Sequence, residues 1–261
     1  MTCQNEWTFG GVRLSDFGVV TELDSYLDMP GKRGDNVLIP MQHGKVWVPK
    51  YYDSRVISFG LEIIAGNIPE LEALFDGLKA LVGTRVQRLL TNSNINGTSR
   101  SAYAEVLSQL GPTRDPDPLV AKVVIDFLLA DPFFRGSVLK TDTFDIPNSN
   151  YTFDNPGSAE ECKAIVTFAD ALDHPIFTNP TTGCTLQYDD VLGAGDSVII
   201  DCGKKTAVDG LGNNVVGKIV HSGDSPFMVF APGVQFLFLS DAAGADTGTG
   251  TVKIDSYPPY L

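Results

Sequence analysis

Only one stretch of this chain repeats its apolar residues at the period of a helix. Leu71, Leu74, Phe75 and Leu78 recur at i, i+3, i+4 and i+7, which predicts a helix over 70–82 with one apolar stripe. Asn67 stands at the N-cap position, Pro69 in the first turn, and Gly83 where a C′ glycine belongs. Glu70 and Glu72 sit at the positive end of the helix dipole. The stripe reads as core packing. Everywhere else the apolar residues come in short runs cut by turn formers. A chain of 261 residues with one helix must therefore bury its apolar surface mainly by packing sheet on sheet.

The strand pattern divides into two parts. In the first, Gly10-Gly11 marks a hairpin between Trp7-Thr8-Phe9 and Val12-Arg13-Leu14. Residues 28–36 form a loop rich in turn formers, and 44–52 alternate around Pro49, which suits an edge strand or protruding hairpin. Residues 55–64, 85–90, 101–107 and 120–129 read as longer strands, an α+β or β-sandwich pattern with the helix packed against them. In the second part, strands fall at 164–168, 176–179, 184–188, 197–202, 215–216, 227–230, 234–239 and 249–254. Turn signals such as Asn179-Pro180, Asp209-Gly210 and Pro232-Gly233 separate them. That spacing predicts an antiparallel sandwich or jelly roll.

Charge divides at the same place. Residues 1–135 hold 13 basic and 16 acidic side chains, a net of −3, and residues 136–261 hold 6 and 16, a net of −10. Every arginine, from Arg13 to Arg135, lies in the first part. Two domains, 1–135 and 136–261, are expected, with Asp131-Pro132 ending a strand and the polar run Lys140-Thr141-Asp142-Thr143 near the boundary. A chain with net charge −13 lacks the overall basic balance of a protein that grips nucleic acid through phosphates. No apolar run approaches the roughly 20 residues needed to span a bilayer, so no membrane insertion is expected. The opening residues have neither a basic n-region nor an apolar h-region, so no secretory signal is expected.

Chemistry-bearing motifs are scarce. Cys3, Cys162, Cys184 and Cys202 form no CxxC pair and have no His at metal-ligand spacing; reduced thiols are expected, although Cys184 and Cys202 can face each other across strands. His43, His174 and His221 belong to no HExxH, GxSxG or P-loop pattern. The paired acids Glu160-Glu161 and Asp189-Asp190 are the candidates for glycosidase-like work, but adjacent acids in turn-like contexts read as solvated. Asp201, Asp209, Asp241 and Asp246 offer oxygen ligands without the EF-hand spacing. Arg33-Gly34-Asp35 matches the tripeptide integrins read, and its firmer content is an exposed polar loop. No catalytic residue, metal or cofactor is expected.

The order of elements resembles the distal tail proteins of long-tailed phages (siphoviruses), close to the minor tail proteins of actinobacterial phages. The resemblance spans nearly the whole chain. It runs through Trp7 to Val20, Arg33 to Pro40, Gly44 to Asp53, the strand and helix that follow, and Ile125 to Phe134. In the second part it takes in Gly157 to Phe168, Pro175 to Phe177, Gly195 to Cys202 and Ser225 to Gly233. The fold it implies is a mainly β one: an N-terminal β-sandwich or split barrel with one α-helix, and a C-terminal lectin-like antiparallel β-sandwich of jelly-roll kind. The function it implies is a structural one: a homo-oligomeric ring, a hexamer in such proteins, at the virion tail tip, made in the host cytoplasm. DNA passes through the channel without stable binding, and the ring joins the tail tube protein to the tail hub or tail-associated lysin protein and to receptor-binding proteins. On that basis residues 28–53 are a candidate inter-subunit arm, with Arg33, Asp35, Lys45, Trp47, Pro49 and Tyr51 at the interface. The alternative is a carbohydrate-binding module using Tyr188, Tyr257 and Tyr260; a tail-associated hydrolase ranks third.

Overall fold

Gly10 and Gly11 turn the chain back at its first hairpin. Both hold left-handed φ, 58° and 84°, which a two-residue hairpin loop needs and side chains avoid. They join β1 (Asn5–Phe9) to β2 (Val12–Arg13), as the sequence predicts. The computed structural model describes residues 5–23, 28–38, 43, 45, 46, 48, 50–94, 99–107, 110–114, 117–145, 151–161, 163–222, 227–241 and 249–261. Contacts cluster into two compact units: Met1–Ser137 with Leu261, and Val138–Tyr260.

The first unit continues with β3 (Val19–Glu22), β4 (Lys32–Arg33), β5 (Val37–Leu38), β6 (Lys45–Val46), β7 (Tyr51–Tyr52) and β8 (Arg55–Ile64). Then come α1 (Ile68–Val82), β9 (Arg88–Asn94), β10 (Ser99–Val106), β11 (Thr113–Arg114), β12 (Val120–Leu129) and β13 (Phe134–Gly136). The main sheet runs β2-β1-β9-β10-β12-β8-β3 with antiparallel neighbours. Along β8, Ile57, Phe59, Leu61 and Ile63 are buried while the residues between them face outward, the period-2 alternation of a half-buried strand. Trp7 stands edge-on to Phe59 (4.9 Å) and Phe134 (6.0 Å), and Phe127 meets Phe9 (4.9 Å) and Phe59 (5.7 Å). These ring contacts, edge-to-face except for the tilted Phe9–Phe127 pair, add to the area that the rings bury. The indole N–H of Trp7 donates to Glu22 Oε1 at 2.7 Å.

Helix α1 forms as its sequence predicts, with two refinements. Asn67 Oδ1 accepts from the Glu70 backbone N–H (2.9 Å), and Glu70 Oε2 accepts from the Gly66 N–H (2.9 Å), a reciprocal cap. The buried face is Leu71, Leu78, Leu81 and Val82, with Leu74 and Phe75 only half-buried, so the stripe is rotated from the predicted one. Gly83 has φ −73°, not a left-handed value; a Cβ there would stand 2.7 Å from the Lys79 carbonyl oxygen. Glycine is needed for the close approach rather than for the dihedral.

The second unit is a two-sheet sandwich. Its strands are β14 (Lys140–Asp145), β15 (Tyr151–Asn155), β16 (Ile165–Ala169), β17 (Leu172–Asp173), β18 (Pro175–Asn179), β19 (Cys184–Tyr188) and β20 (Val191–Leu192). They continue with β21 (Ser197–Asp201), β22 (Thr206–Asp209), β23 (Ile219–Ser222), β24 (Gly233–Asp241), β25 (Thr251–Ser256) and β26 (Pro259–Tyr260). One sheet is ordered β14-β25-β16-β21-β22 and the other β15-β24-β18-β19-β23, with β17 and β20 forming a small ladder of their own. The core between them joins Val166, Phe168, Ile200 and Ile254 of the first to Phe153, Phe177, Leu186 and Leu237 of the second. The expectation of a mainly β chain with one α-helix and a C-terminal antiparallel β-sandwich is met among the described residues.

Three local expectations are corrected. The polar run at 140–143 is part of strand β14, paired along its length with β25. Val215-Val216 is not a strand: Val216–Lys218 forms a 3₁₀ turn. Phe227 to Phe230 is buried but makes only one isolated bridge, between Phe230 and Glu161. Phe227 takes φ 67°, which no ladder accommodates. Amide side chains hold the segment instead. Asn179 Nδ2 donates to the Val229 carbonyl (2.9 Å) and to Gln235 Oε1 (2.8 Å), and Asn155 Nδ2 donates to the Phe230 carbonyl (3.3 Å).

Candidate functional site: an exposed ribbon and the polar surface of the second unit

The loop expected to form an arm folds into a ribbon of two nested pairs. Lys32 and Arg33 of β4 stand opposite Tyr52 and Tyr51 of β7, and Val37 and Leu38 of β5 stand opposite Val46 and Lys45 of β6. Gly34 at φ 112° turns the chain between the pairs, a value that glycine tolerates. The root is tied down by a hydrogen bond from Asp53 N–H to the Gly31 carbonyl (2.7 Å) and by Tyr52, whose ring stands edge-on to Phe133 at 5.5 Å. The Lys32 ammonium lies 5.3 Å from the Tyr52 ring.

Of the predicted interface residues, Arg33, Asp35, Lys45 and Tyr51 are exposed, with Tyr51 at 66% and its neighbour Val46 at 46%. Trp47 and Pro49 lie outside the described residues. Below the ribbon is a cleft of about 360 Å³ lined by Asp28, Met29, Pro30, Gly31, Ser54, Arg55 and Val56. Arg55 is 6% exposed. Burial lowers its guanidinium from the ordinary arginine range, opposed by Asp28, and it remains a cation at neutral pH.

In the second unit, the acids of the Asp189-Asp190 pair meet basic side chains, His174 and Lys218, rather than each other. His174 holds φ 49°, places Nδ1 2.6 Å from Asp173 Oδ1 and Nε2 4.0 Å from Asp189 Oδ1, and donates its backbone N–H to the Asp190 carbonyl (3.2 Å). The Asp173 hydrogen bond raises the His174 imidazole above its usual range, with the charges of Asp173, Asp189 and Asp190 acting in the same direction against desolvation. Asp190 is held below the usual carboxylate range by its hydrogen bond from Lys218, then by that from the Val191 N–H. Lys218 is raised in return. Glu161 is 1% exposed and accepts from the Lys163 N–H (2.6 Å). Neither pair lines the Arg55 cleft.

The calcium candidates are occupied by protein groups. Asp201 accepts from Lys204, and Asp209 accepts from the N–H groups of Leu211 and Asn213 and from the Asn213 side chain. Asp246 lies outside the described residues, as does the side chain of Asp241. Among the described residues, no group of three or more His, Cys, Asp or Glu side chains is placed to hold a metal ion. Cys184 and Cys202 are buried free thiols, and Cys3 and Cys162 lie outside the described residues. No helix among the described residues is long and apolar enough to cross a membrane.

The three candidate tyrosines differ in exposure. Tyr188 is 4% exposed and belongs to the core, so it offers no ring face to a sugar; burial raises its phenol. Tyr257 is 46% exposed and Tyr260 half-buried. Among the described residues of this unit, Phe236 and Phe238 on β24 are exposed as well, and neither stands among the sequence-predicted candidates. Their signal was present: in 234–239 both phases of the alternation are apolar except at Gln235.

No protein-family model and no curated protein matches the sequence. Comparison with solved structures defines the class of fold: a two-part β architecture of the phage Dit kind. The structure that carries the likeness is the SPP1 Dit (gp 19.1) protein, described as a paradigm of the hub adsorption apparatus in phages infecting Gram-positive hosts. It is 14% identical, with a TM-score of 0.68 over 98% of this chain and 99% of that one. Chains of the phage p2 baseplate in its activated conformation, with Sr and with Ca, match at 8% and 9% identity and a TM-score of 0.41 over 98% of this chain. At that score they add nothing to the argument.

Proposed function

We propose that this chain is a distal tail protein, a non-catalytic structural component of the tail tip of a long-tailed phage virion. The observation that carries this reading is the likeness to SPP1 Dit over 98% of the chain. In this reading the first unit assembles into a homo-oligomeric ring, hexameric by resemblance, with DNA passing through the channel. The ring joins the tail tube protein to the tail hub or tail-associated lysin protein and to receptor-binding proteins. The exposed ribbon supports it: Arg33, Lys45, Val46 and Tyr51 stand in solvent on short paired strands, a mixed charged and aromatic surface of the kind that contacts a neighbour. The chain's net charge of −13 favours DNA sliding past over DNA being held.

Native mass spectrometry and negative-stain imaging of the full chain test the proposal. A closed cyclic oligomer is expected, and the double substitution Arg33→Glu with Tyr51→Ala should shift it toward monomer without changing the circular dichroism spectrum. A strict monomer at high protein concentration overturns the ring.

A further inference from the structure

β17 and β20 form a flap that belongs to neither large sheet of the sandwich. Leu172 pairs with Leu192 and Asp173 with Val191. The inner side chains of the flap, Leu172 and Leu192, are 2% and 5% exposed and join the core. A ladder of two residue pairs is too short to hold itself together, so its closure depends on what ties its ends. One end is fastened by backbone bonds: the Asp170 N–H donates to the Asp196 carbonyl (2.9 Å) and the Asp196 N–H to the Gly193 carbonyl (3.1 Å). The other end is His174. Asp170 at φ 62° and His174 at φ 49° stand before and after β17, and neither is glycine. Left-handed backbone of this kind persists only where the contacts around it offset its cost.

The His174 end is unevenly charged. Asp190 has its own cation in Lys218, which also bonds the Tyr188 phenol. For Asp173 and Asp189 the basic partner among the described residues is His174, through Nδ1 at 2.6 Å and Nε2 at 4.0 Å. Asp173 ends β17 and Asp189 follows β19, so the imidazole spans two corners of the flap. On the third side β24 sets Asp241 opposite Pro175, its side chain outside the described residues. The His174 and Asp189 N–H groups donate to the Asp190 and Lys218 carbonyls (3.2 and 2.8 Å), which ties the same corners through the backbone. A protonated ring puts a positive charge between Asp173 and Asp189. A neutral ring leaves two carboxylates there with no cation between them, and their repulsion acts to part β17 from β20.

We propose that His174 works as a pH-operated latch, holding the β17–β20 flap shut when protonated and releasing it when neutral, so that Leu172 and Leu192 are uncovered by a local opening. The raised imidazole agrees in sign: the closed flap holds the proton more tightly than the open one. Closure is therefore favoured below the ordinary histidine value of about 6.5 and weakens as pH rises through the higher value of the closed state. The latch does not depend on the tail-tip reading.

Hydrogen exchange of the full chain from pH 5.5 to 8.5, followed by mass spectrometry and corrected for the intrinsic pH dependence of exchange, tests the latch. Peptides over 170–176 and 189–194 should exchange faster than those of β16 and β21 at every pH, the mark of local opening. Their protection should fall about two- to fivefold across the range, the size expected of a partly exposed ion pair. The midpoint should coincide with the imidazole titration followed by NMR. His174→Asn keeps a residue that tolerates left-handed backbone and should make flap protection independent of pH. Asp189→Asn keeps the ring and should shrink the dependence. The proposal is overturned if wild-type protection does not change with pH, or if the change persists in His174→Asn or is undiminished in Asp189→Asn. It is also overturned if the flap exchanges only together with β16 and β21, because it then opens only when the unit unfolds.

Discussion

Single side chains settle where the second unit is rigid and where it responds to pH. Asn179 is fully buried and satisfies both the Val229 carbonyl and Gln235 Oε1. Both acceptors keep a second donor, Thr182 Oγ1 on the Val229 carbonyl (3.0 Å) and the Ala231 N–H on Gln235 Oε1 (3.1 Å), but Asn179→Ala also takes the acceptor from the Thr181 N–H (3.1 Å) and is expected to cost about 1–3 kcal/mol in chemical denaturation. A loss below about 0.5 kcal/mol would show that water replaces the amide. His174 gives a pH prediction. Its imidazole is raised in the folded chain by Asp173, Asp189 and Asp190, so folding favours the protonated ring. The stability it contributes is fully present below the unfolded pKa of about 6.5 and is lost as pH rises through the higher folded value. His174→Asn keeps a residue that tolerates φ 49° and removes the titration. Wild type and variant should therefore differ in melting temperature at pH 5.5 and converge towards pH 8.5; a constant difference would refute the assignment. None of this was legible in the sequence, because Asp189 and Asp190 reach His174 only when the small β17–β20 ladder forms.

At the level of elements, the helix was the most legible part and its ends the most testable. Asn67→Ala removes the acceptor for the Glu70 N–H and should cost about 1 kcal/mol. The position of Gly18 is stricter. A Cβ there would stand 2.3 Å from the Glu62 carbonyl oxygen, against backbone that has nowhere to move without breaking the β3–β8 ladder. Gly18→Ala is expected to destabilise by about 1–3 kcal/mol or more, against at most a few tenths at Gly31, where no atom lies within 4 Å. Equal melting temperatures for the two variants would contradict this. Strands with one apolar phase, such as β8, announced themselves by alternation. Phe227–Phe230 misled because its apolar run comes from burial on several sides, held by Asn179 and Asn155 amides distant in sequence.

On the scale of the whole molecule, the chain holds two separately packed units with different charge, −3 over residues 1–135 and −10 over 136–261. Each has its own buried aromatics, so two cooperative transitions are expected in calorimetry. Leu78→Ala should lower one and Phe168→Ala the other; a single transition that moves with both substitutions would refute this. Their charges differ enough for acidification to shift the two transitions unequally. Local pattern alone specified helix α1, the hairpin glycines, the strand-rich character of both parts and the uneven charge. Those properties follow from local periodicity, turn chemistry and composition, which need no partner to be read. Long-range packing set which apolar residues stay uncovered and which polar groups meet. Phe236 became surface and Tyr188 core, and His174 found its acids, because strand neighbours and register are set by distant pairings. A register slip of one residue turns every side chain to the opposite face.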